Sequence, residues 1–273
     1  MTQTNIAFIG AGNMATSIIS GLINKGHNRA NIWASAPSET ARAKAAALGI
    51  NVSADNFEIT SKADVVVIAV KPQVLKQVVS PLKALLEGTN KIVISIAAGV
   101  DLTSLQAWLG DTTAIVRCMP NTPSLLGLGA TGLYSNNNTT TAQKDLASTI
   151  LNAVGVSVWV DNEAALDAVT AVSGSGPAYY FLLMEAMQDA GKKMGLDAHS
   201  SKLLTLQTAL GAAQMALDSD VDVGELRRRV TSAGGTTEQA VNTFEQGGLR
   251  ELVAKAMNNC ANRAKEMAKE LGE

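Results

Sequence analysis

Residues 5–15 read NIAFIGAGNMA, a short apolar run followed by glycines and alanine in the spacing Gly-x-Gly-x-x-Ala. The run before Gly10 favours a β-strand, and the residues after Gly12 have the apolar spacing of a helix. In such a unit Gly10 permits the tight turn, Gly12 lets the backbone approach a pyrophosphate, and Ala15 permits close helix packing. The stretch predicts a dinucleotide-binding domain; the alternative is a strand-to-helix turn without a ligand.

The rest of the first half alternates short β-branched runs with amphipathic segments, as βαβ units do. The predicted strands are residues 5–9, 31–34, 64–70, 91–96, 114–117 and 156–160. Residues 64–70 read DVVVIAV, which suits a parallel strand covered on both faces. Helical spacing of Ala and Leu replaces these runs after residue 160. We therefore predict an α/β protein, with a Rossmann-like doubly wound sheet in residues 1–160 and an all-α helical-bundle domain for substrate binding and dimerisation in residues 161–273.

Particular residues predict where the helices of the second half begin. Asp197 and Asp222 are expected N-caps, because their side chains can accept from first-turn amides. Asp161 or Asn162 is expected to cap an earlier helix that runs through residue 171. Gly248 precedes a long last helix.

Composition excludes several classes of protein. The 273 residues are 47% hydrophobic, enough for two buried cores. The 22 Lys and Arg residues face 24 Asp and Glu, so no strong basic field attracts nucleic acid or an anionic membrane. Two cysteines, neither in a metal-ligand spacing, fit a reducing compartment. There is neither a signal-peptide pattern nor an apolar run of ~18 residues. We expect a cytoplasmic protein without a metal, a nucleic-acid partner or a membrane partner.

The residues after the second predicted strand bear on the choice of cofactor. Residues 33–38 read WASAPS and lack the carboxylate that accepts from the ribose hydroxyls in a typical NAD site. Ser35 and Ser38, with Arg42, can instead donate to a 2′-phosphate. The sequence favours NADPH, with NADH weaker; the alternative is that the serines only shape a turn before Pro37.

Five further motifs follow in order: AVKP at 69–72, SIAAGV at 95–100, MPNTP at 119–123, SGSGPA at 173–178 and TSAGGTT at 231–237. Over essentially its whole length the chain resembles the Δ1-pyrroline-5-carboxylate reductases. The resemblance implies NAD(P)H-dependent reduction of 1-pyrroline-5-carboxylate to L-proline, the last step of proline biosynthesis. It also implies a homo-oligomer built from interleaved dimers, with a decamer as one form. Apolar helical faces in the second half agree with association.

The resemblance implies roles along the cofactor as well. It places Asn56 at the adenine ribose and Ala97 near the nicotinamide. It also places Ala69, Lys71 and Pro72 along the cofactor. The motifs AVKP and SIAAGV directly follow predicted strands, where ligands of parallel sheets bind; Lys71 can alternatively be a solvated loop lysine. The expected cofactor residues are Gly10, Ala11, Gly12, Asn13, Met14, Ser35, Pro37, Asn56, Ala69, Val70, Lys71, Pro72, Ala97, Ala98 and Gly99.

The TSAGGTT segment predicts an anion site. Thr236 and Gln239 fit a capping box that begins a helix at about Thr237. Exposed amides at such a terminus attract a carboxylate. The resemblance implies the same, with the Thr237 hydroxyl near the ring nitrogen as the catalytic contact; the alternative is a purely structural cap. The expected substrate residues here are Ser232, Gly234, Gly235, Thr236 and Thr237.

The acidic residues Glu163 and Asp220 are similar in position to substrate contacts of the family, although many members carry a longer Glu at Asp220. Each can alternatively be a helix-terminal charge. Neither His27 nor His199 belongs to a catalytic motif, so no obligatory histidine base is expected. One alternative function is a β-hydroxyacid dehydrogenase-like oxidoreductase, although residues 177–190 lack the lysine that it needs. The other is a non-catalytic NADP-sensing protein.

Overall fold

Short β-branched runs form one sheet in residues 3–272, the part of the chain that the computed structural model describes. The strands are β1 (Ile6–Ile9), β2 (Ile32–Ser35), β3 (Asn51–Ser53), β4 (Val65–Ile68), β5 (Ile92–Ser95), β6 (Ala114–Met119), β7 (Gly129–Ser135) and β8 (Gly155–Trp159). Their order across the sheet is β3-β2-β1-β4-β5-β6-β7-β8. Strands β1 to β6 are parallel, whereas β7 runs antiparallel to β6 and parallel to β8. The strand order reverses between β1 and β4, which places a ligand-binding crevice at their carboxyl ends.

Helices cover both faces of this sheet. The helices around it are α1 (Asn13–Asn24), α2 (Glu39–Ala46), α3 (Asn56–Lys62), α4 (Pro72–Val79), α5 (Lys83–Leu86), α6 (Leu102–Leu109), α7 (Thr141–Leu151) and α8 (Ala165–Val169). Successive strand side chains point to opposite faces. Phe8 of β1 therefore packs with Ile18 of α1 and Ile150 of α7, whereas Ile9 packs on the other face with Leu75 of α4. The predicted fold class is confirmed for this part.

Two of the strands, β3 and β7, were missed by the sequence prediction, whereas the six predicted strands are present with shifted ends. Strand β3 has only three residues. Strand β7 contains Gly129 and Gly132, and glycine is depleted in strands. A Cβ on Gly132 would come 2.6 Å from a methyl carbon of Val169, so the glycine admits α8 to the sheet face.

The second half is helical: α9 (Gly176–Lys193), α10 (Ala198–Leu217), α11 (Val223–Arg229), α12 (Thr236–Gln246) and α13 (Leu249–Gly272). Asp197 accepts from the amide of Ser200, and Asp222 accepts from that of Glu225, which confirms both predicted caps. The helix predicted to run from Asp161 or Asn162 to residue 171 begins later, at Ala165. Asn162 nevertheless accepts from the Ala165 amide at 3.0 Å. A π-helical turn, Thr170–Gly174, follows α8.

The chain divides into two compact units. The first unit runs to Ser175 and includes the chain again from Asn259, and the second is Gly176–Asn258. This division differs from the predicted one at 160, because residues 161–175 pack against the sheet. That residues 1–160 bind the dinucleotide, and that residues 161–273 bind substrate and form the dimer, stays a prediction. Within residues 3–272, no helix combines the length and apolar character needed to cross a membrane.

Candidate active site

The Gly-rich loop joins β1 to α1 at the carboxyl edge of the sheet. Gly10 has φ of +101°, and its amide donates to the Ser35 carbonyl oxygen at 2.9 Å. Gly12 is the N-cap of α1 and makes no side-chain cap hydrogen bond. A Cβ built on Gly12 would have nothing within 4 Å. Within residues 3–272, the first-turn amides of α1, which begins at Asn13, thus have no side-chain acceptor beside this open space, and this fits a pyrophosphate.

The end of β2 carries the residues predicted to meet the adenosine half of the cofactor. Ser35 is 1% exposed, and its hydroxyl donates to Asn56 Oδ1 at 2.6 Å. Arg42 Nη1 donates to the carbonyl oxygens of Ala36 and Pro37 at 2.7 and 2.8 Å. Arg42 thus fixes the turn through one nitrogen. The exposed Ser38 is the N-cap of α2, and its hydroxyl makes no cap hydrogen bond.

The loops after β4 and β5 continue along the same edge. The amide of Ala69 donates to the Ile9 carbonyl oxygen at 2.8 Å, so the loop after β4 starts beside the Gly-rich loop. The exposed Lys71 is the N-cap of α4, and Pro72 is its first residue. After β5, Ala97 is buried and Gly99 has φ of +72°. Because β2, β1, β4 and β5 are neighbours, the structure brings the predicted cofactor residues to one edge of the sheet.

A charged cluster lies beside the loop after β5. Glu163 Oε1 accepts from Arg117 Nη1 and from the Leu102 amide, both at 2.7 Å. Asp167 lies four residues after Glu163, in α8, and its side chain makes no hydrogen bond within residues 3–272. Burial raises the pKa of the Asp167 carboxyl, and Arg117 opposes that rise. The cluster was not predicted, although Arg117 is the only charged residue in β6 and so gave a signal.

A cavity of about 260 Å³ opens beside this cluster within the first unit. Its lining includes Ala98 and Gly99 from the loop after β5, Met119 from β6, Asp167 from α8 and Cys260 from α13. The Cys260 thiol donates to the Ser175 hydroxyl at 3.2 Å. This cavity therefore adjoins the loop predicted to lie near the nicotinamide.

The predicted substrate loop lies in the second unit and differs from the prediction in its capping. Gly235, not Thr236, is the N-cap of α12, and it makes no side-chain cap hydrogen bond. The predicted capping box of Thr236 and Gln239 is therefore wrong. Glu238 Oε2 instead accepts from the Gly234 amide at 2.8 Å, and this starts the helix one residue earlier than predicted. Among the residues that the structure describes, the first-turn amides remain without a side-chain acceptor, as an anion site needs.

The remaining predicted residues have simpler surroundings. Ser232, Thr236 and Thr237 are exposed around the start of α12. Asp220 is exposed in the loop between α10 and α11. The basic run at the end of α11 is paired with carboxylates: Arg227 contacts Glu245 at 2.7 Å, and its two successors contact Glu225.

The fold and the Gly-rich loop define a nucleotide-dependent α/β oxidoreductase. Residues 5–99 match the family model described as NADP oxidoreductase coenzyme F420-dependent, and residues 163–267 match the one described as pyrroline-5-carboxylate reductase dimerisation. A relative from Pseudomonas aeruginosa, named pyrroline-5-carboxylate reductase, is 53% identical over 100% of both chains. The chain belongs to the pyrroline-5-carboxylate reductase family.

Solved structures agree with this membership. A pyrroline-5-carboxylate reductase from Coxiella burnetii has a TM-score of 0.95 and 46% identity, covering 97% of this chain and 99% of that one. The pyrroline carboxylate reductase of Plasmodium falciparum, with NADP bound, has a TM-score of 0.85 and 32% identity, covering 98% of this chain and 99% of that one. The predicted fold class is confirmed for the whole chain.

Proposed function

We propose that this protein reduces 1-pyrroline-5-carboxylate to L-proline, the last step of proline biosynthesis. The observation that carries the proposal is 53% identity to a pyrroline-5-carboxylate reductase over the full length of both chains. Neither alternative, the β-hydroxyacid dehydrogenase nor the NADP sensor, is favoured by the relatives. Cofactor oxidation that depends on added 1-pyrroline-5-carboxylate, with L-proline as product, tests the proposal.

The cofactor is a nicotinamide dinucleotide held along the carboxyl edge of the sheet. Gly10 and Gly12 shape the loop that receives the pyrophosphate, with Ala11, Asn13 and Met14 beside them. The loops after β2, β4 and β5 supply the other proposed contacts: Ser35, Pro37, Asn56, Ala69, Val70, Lys71, Pro72, Ala97, Ala98 and Gly99. When bound, the nicotinamide ring supplies the hydride that reduces the ring C=N carbon.

NADPH is the preferred cofactor, and NADH is weaker. Two features support this preference: residues 33–38 contain no carboxylate to repel a 2′-phosphate, and the Ser38 hydroxyl is exposed and makes no cap hydrogen bond. Arg42 lies at the same turn and holds its two carbonyl oxygens through Nη1 alone. The guanidinium therefore has further N–H groups that can donate to a phosphate.

The substrate carboxylate binds at the start of α12. Support comes from the unaccepted amides of its first turn and from the exposed hydroxyls of Ser232, Thr236 and Thr237. Gly234 and Gly235 keep the approach to these amides free of side chains. The Thr237 hydroxyl contacts the ring nitrogen. Asp220 stays a predicted substrate contact, whereas for Glu163 a positioning role is argued below in place of the predicted substrate contact.

The protein contributes to catalysis mainly by orienting the cofactor and the imine substrate relative to each other. A pyrroline nitrogen takes up a proton from water near neutral pH, so no histidine base is required. Holding the imine carbon and the hydride donor in one geometry can lower the barrier by roughly 7–11 kcal/mol. His27 hydrogen-bonds to the Thr4 carbonyl oxygen at 3.0 Å and is buried, which suits a structural role.

We also propose a cytoplasmic homo-oligomer built from dimers, with a decamer as one form. The matched model for residues 163–267 carries dimerisation in its description. Helices α9 and α10 expose large apolar side chains, among them Phe181 at 64% and Leu210 at 60%, and extended apolar exposure marks contact surfaces. Both cysteines carry free thiols, as a reducing compartment favours.

A further inference from the structure

The loop of residues 96–101, which joins β5 to α6, lies where the nicotinamide half of a dinucleotide belongs. In a doubly wound sheet the pyrophosphate crosses the strand-order reversal between β1 and β4, and the two nucleotide halves lie on opposite sides of it. Ser35 at the end of β2 is on the adenosine side. Ala97, Ala98 and Gly99 follow β5, two strands away from β1 on the other side.

Glu163 holds the far end of this loop. Its Oε1 accepts from the amide of Leu102, the first residue of α6, at 2.7 Å. The N-cap of that helix, Asp101, is already used by the Ser104 amide at 2.8 Å. Glu163 therefore takes a first-turn donor that the N-cap does not satisfy.

The same oxygen also fastens the loop to the neighbouring strand. Arg117 Nη1 on β6 donates to Glu163 Oε1 at 2.7 Å, and the side chains are 11% and 27% exposed. A charge-assisted hydrogen bond between largely buried partners is stronger than a neutral one. Arg117 lies in strand β6, so its hydrogen bond holds the Glu163 carboxylate in a fixed position. The fixed carboxylate in turn holds the Leu102 amide, and with it the end of the loop.

We propose that Glu163 is a positioning residue, which holds Ala97, Ala98 and Gly99 in one shape for the nicotinamide half of the cofactor and does not touch the substrate. The inference rests on the proposed function only in requiring that the chain binds a nicotinamide dinucleotide. It differs from the substrate contact predicted for Glu163, because both hydrogen bonds of Oε1 stay within the first unit.

When Glu163 is replaced, another carboxyl group, that of Asp167, remains near Arg117. Asp167 lies four residues after Glu163, in α8, and lines the same cavity as Arg117. Burial raises the Asp167 pKa, and the Arg117 guanidinium opposes that rise. A carboxyl group therefore remains beside Arg117, whereas the Leu102 amide loses its acceptor. The effect of Glu163 on the shape of the loop can therefore be measured apart from its effect on the stability of the fold.

Glu87 provides a matched control at the opposite edge of the sheet. Its Oε1 accepts from the Asp111 amide at 3.1 Å, and its Oε2 lies 3.7 Å from Lys83 Nζ. Like Glu163, it ties a backbone amide and a cation. Glu87 precedes β5 and Asp111 precedes β6, so this pair lies at the amino ends of the strands, away from the cofactor crevice.

The test compares NADPH with 2′-phospho-ADP-ribose, which lacks the nicotinamide. Both are titrated by calorimetry into wild type, Glu163→Ala, Glu163→Gln and Glu87→Ala. We expect Glu163→Ala to weaken NADPH about tenfold, as loss of a charge-assisted hydrogen bond would, and to change the fragment less than about twofold. Glu163→Gln keeps a neutral acceptor and should recover part of the NADPH affinity. Glu87→Ala should bind both as wild type does.

Equal weakening of NADPH and the fragment in Glu163→Ala, or no weakening of NADPH, would overturn the positioning role. A thermal melt of each variant shows that the folded protein was titrated, and Glu163→Gln carries the comparison if Glu163→Ala unfolds. Failure of wild type to bind either compound would contradict the proposed function itself, and this inference with it.

Discussion

Gly10 lies directly against the backbone of Ala69: a Cβ built on Gly10 would come 2.6 Å from the Ala69 carbonyl oxygen. The Gly10 amide also donates to the Ser35 carbonyl oxygen, so the ends of β1, β2 and β4 meet at this one residue. Gly12, two residues later, has no such neighbour. The two glycines are therefore needed for different reasons: Gly10 for the packing of the strand ends, and Gly12 for the approach of the ligand.

Alanine substitutions separate these two tasks. Gly10→Ala must displace the Ala69 backbone and hold a left-handed φ, so the free energy of unfolding should fall by about 1–3 kcal/mol. The Gly12→Ala methyl group comes within 4 Å of no neighbouring atom in residues 3–272, so the change should cost about 1 kcal/mol or less as an N-cap change. Its methyl group should still weaken NADPH binding by about tenfold or more, because the backbone can no longer approach the pyrophosphate. Chemical denaturation and calorimetric titration measure the two effects; similar profiles for both variants would contradict this assignment.

Thr237→Ala tests the proposed contact with the ring nitrogen. A hydrogen bond to a charged group is worth about 1.5–3 kcal/mol, so kcat/KM should fall roughly ten- to a hundred-fold. Because Gly235 is the N-cap of α12, the melting temperature should hardly change. Thr243→Ala, at another exposed threonine of the same helix, is the control and should leave kcat/KM intact. Normal kinetics for Thr237→Ala would remove this residue from the active site.

The cofactor preference can be probed at Ser38. Wild type should have a higher kcat/KM with NADPH than with NADH. Ser38→Asp introduces a carboxylate at the exposed turn after β2 and should lower kcat/KM for NADPH by about tenfold through repulsion of the 2′-phosphate, with little effect for NADH. Ser38→Ala removes the hydroxyl without adding charge and should cause a smaller loss. If wild type works better with NADH, the serines are only turn residues.

Much of this architecture follows from local sequence. Residues 64–70 lack polar alternation because β4 is covered on both faces, and Asp197 and Asp222 cap their helices as predicted. Contacts between distant segments carried weaker signals. Arg117 and Glu163 are 46 positions apart, and the residues around each one give no indication that the two side chains form a pair. The Gly-rich β7 was missed because its pairing with β6 depends on tertiary context.

The start of α12 shows why a local pattern can mislead by one residue. Thr236 and Gln239 have the spacing of a capping box, but Glu238 competes for the same turn. The Glu238 carboxylate is the stronger acceptor and takes the Gly234 amide, so Gly235 becomes the N-cap. Positive φ at Gly234, +71°, makes this path available to the backbone.

Stability should depend on pH through His27. Burial lowers the pKa of this imidazole below 6.5, and the hydrogen bond to Thr4 opposes that shift. As pH falls below about 6.5, the unfolded chain takes up a proton that the folded chain does not, so the free energy of unfolding falls. The His27 contribution is fully present above that pH. His27→Gln cannot titrate, so denaturation curves between about pH 7 and pH 5 should show a smaller loss of stability; the same slope as wild type would contradict the assignment.

The most direct test of the whole account is the absorbance of NADPH at steady state, with and without 1-pyrroline-5-carboxylate, combined with chromatography of the product. We predict that NADPH is oxidised only when 1-pyrroline-5-carboxylate is present and that L-proline forms in equal amount. NADPH binding without substrate-dependent oxidation, or oxidation that leaves no proline, would contradict the proposed reduction.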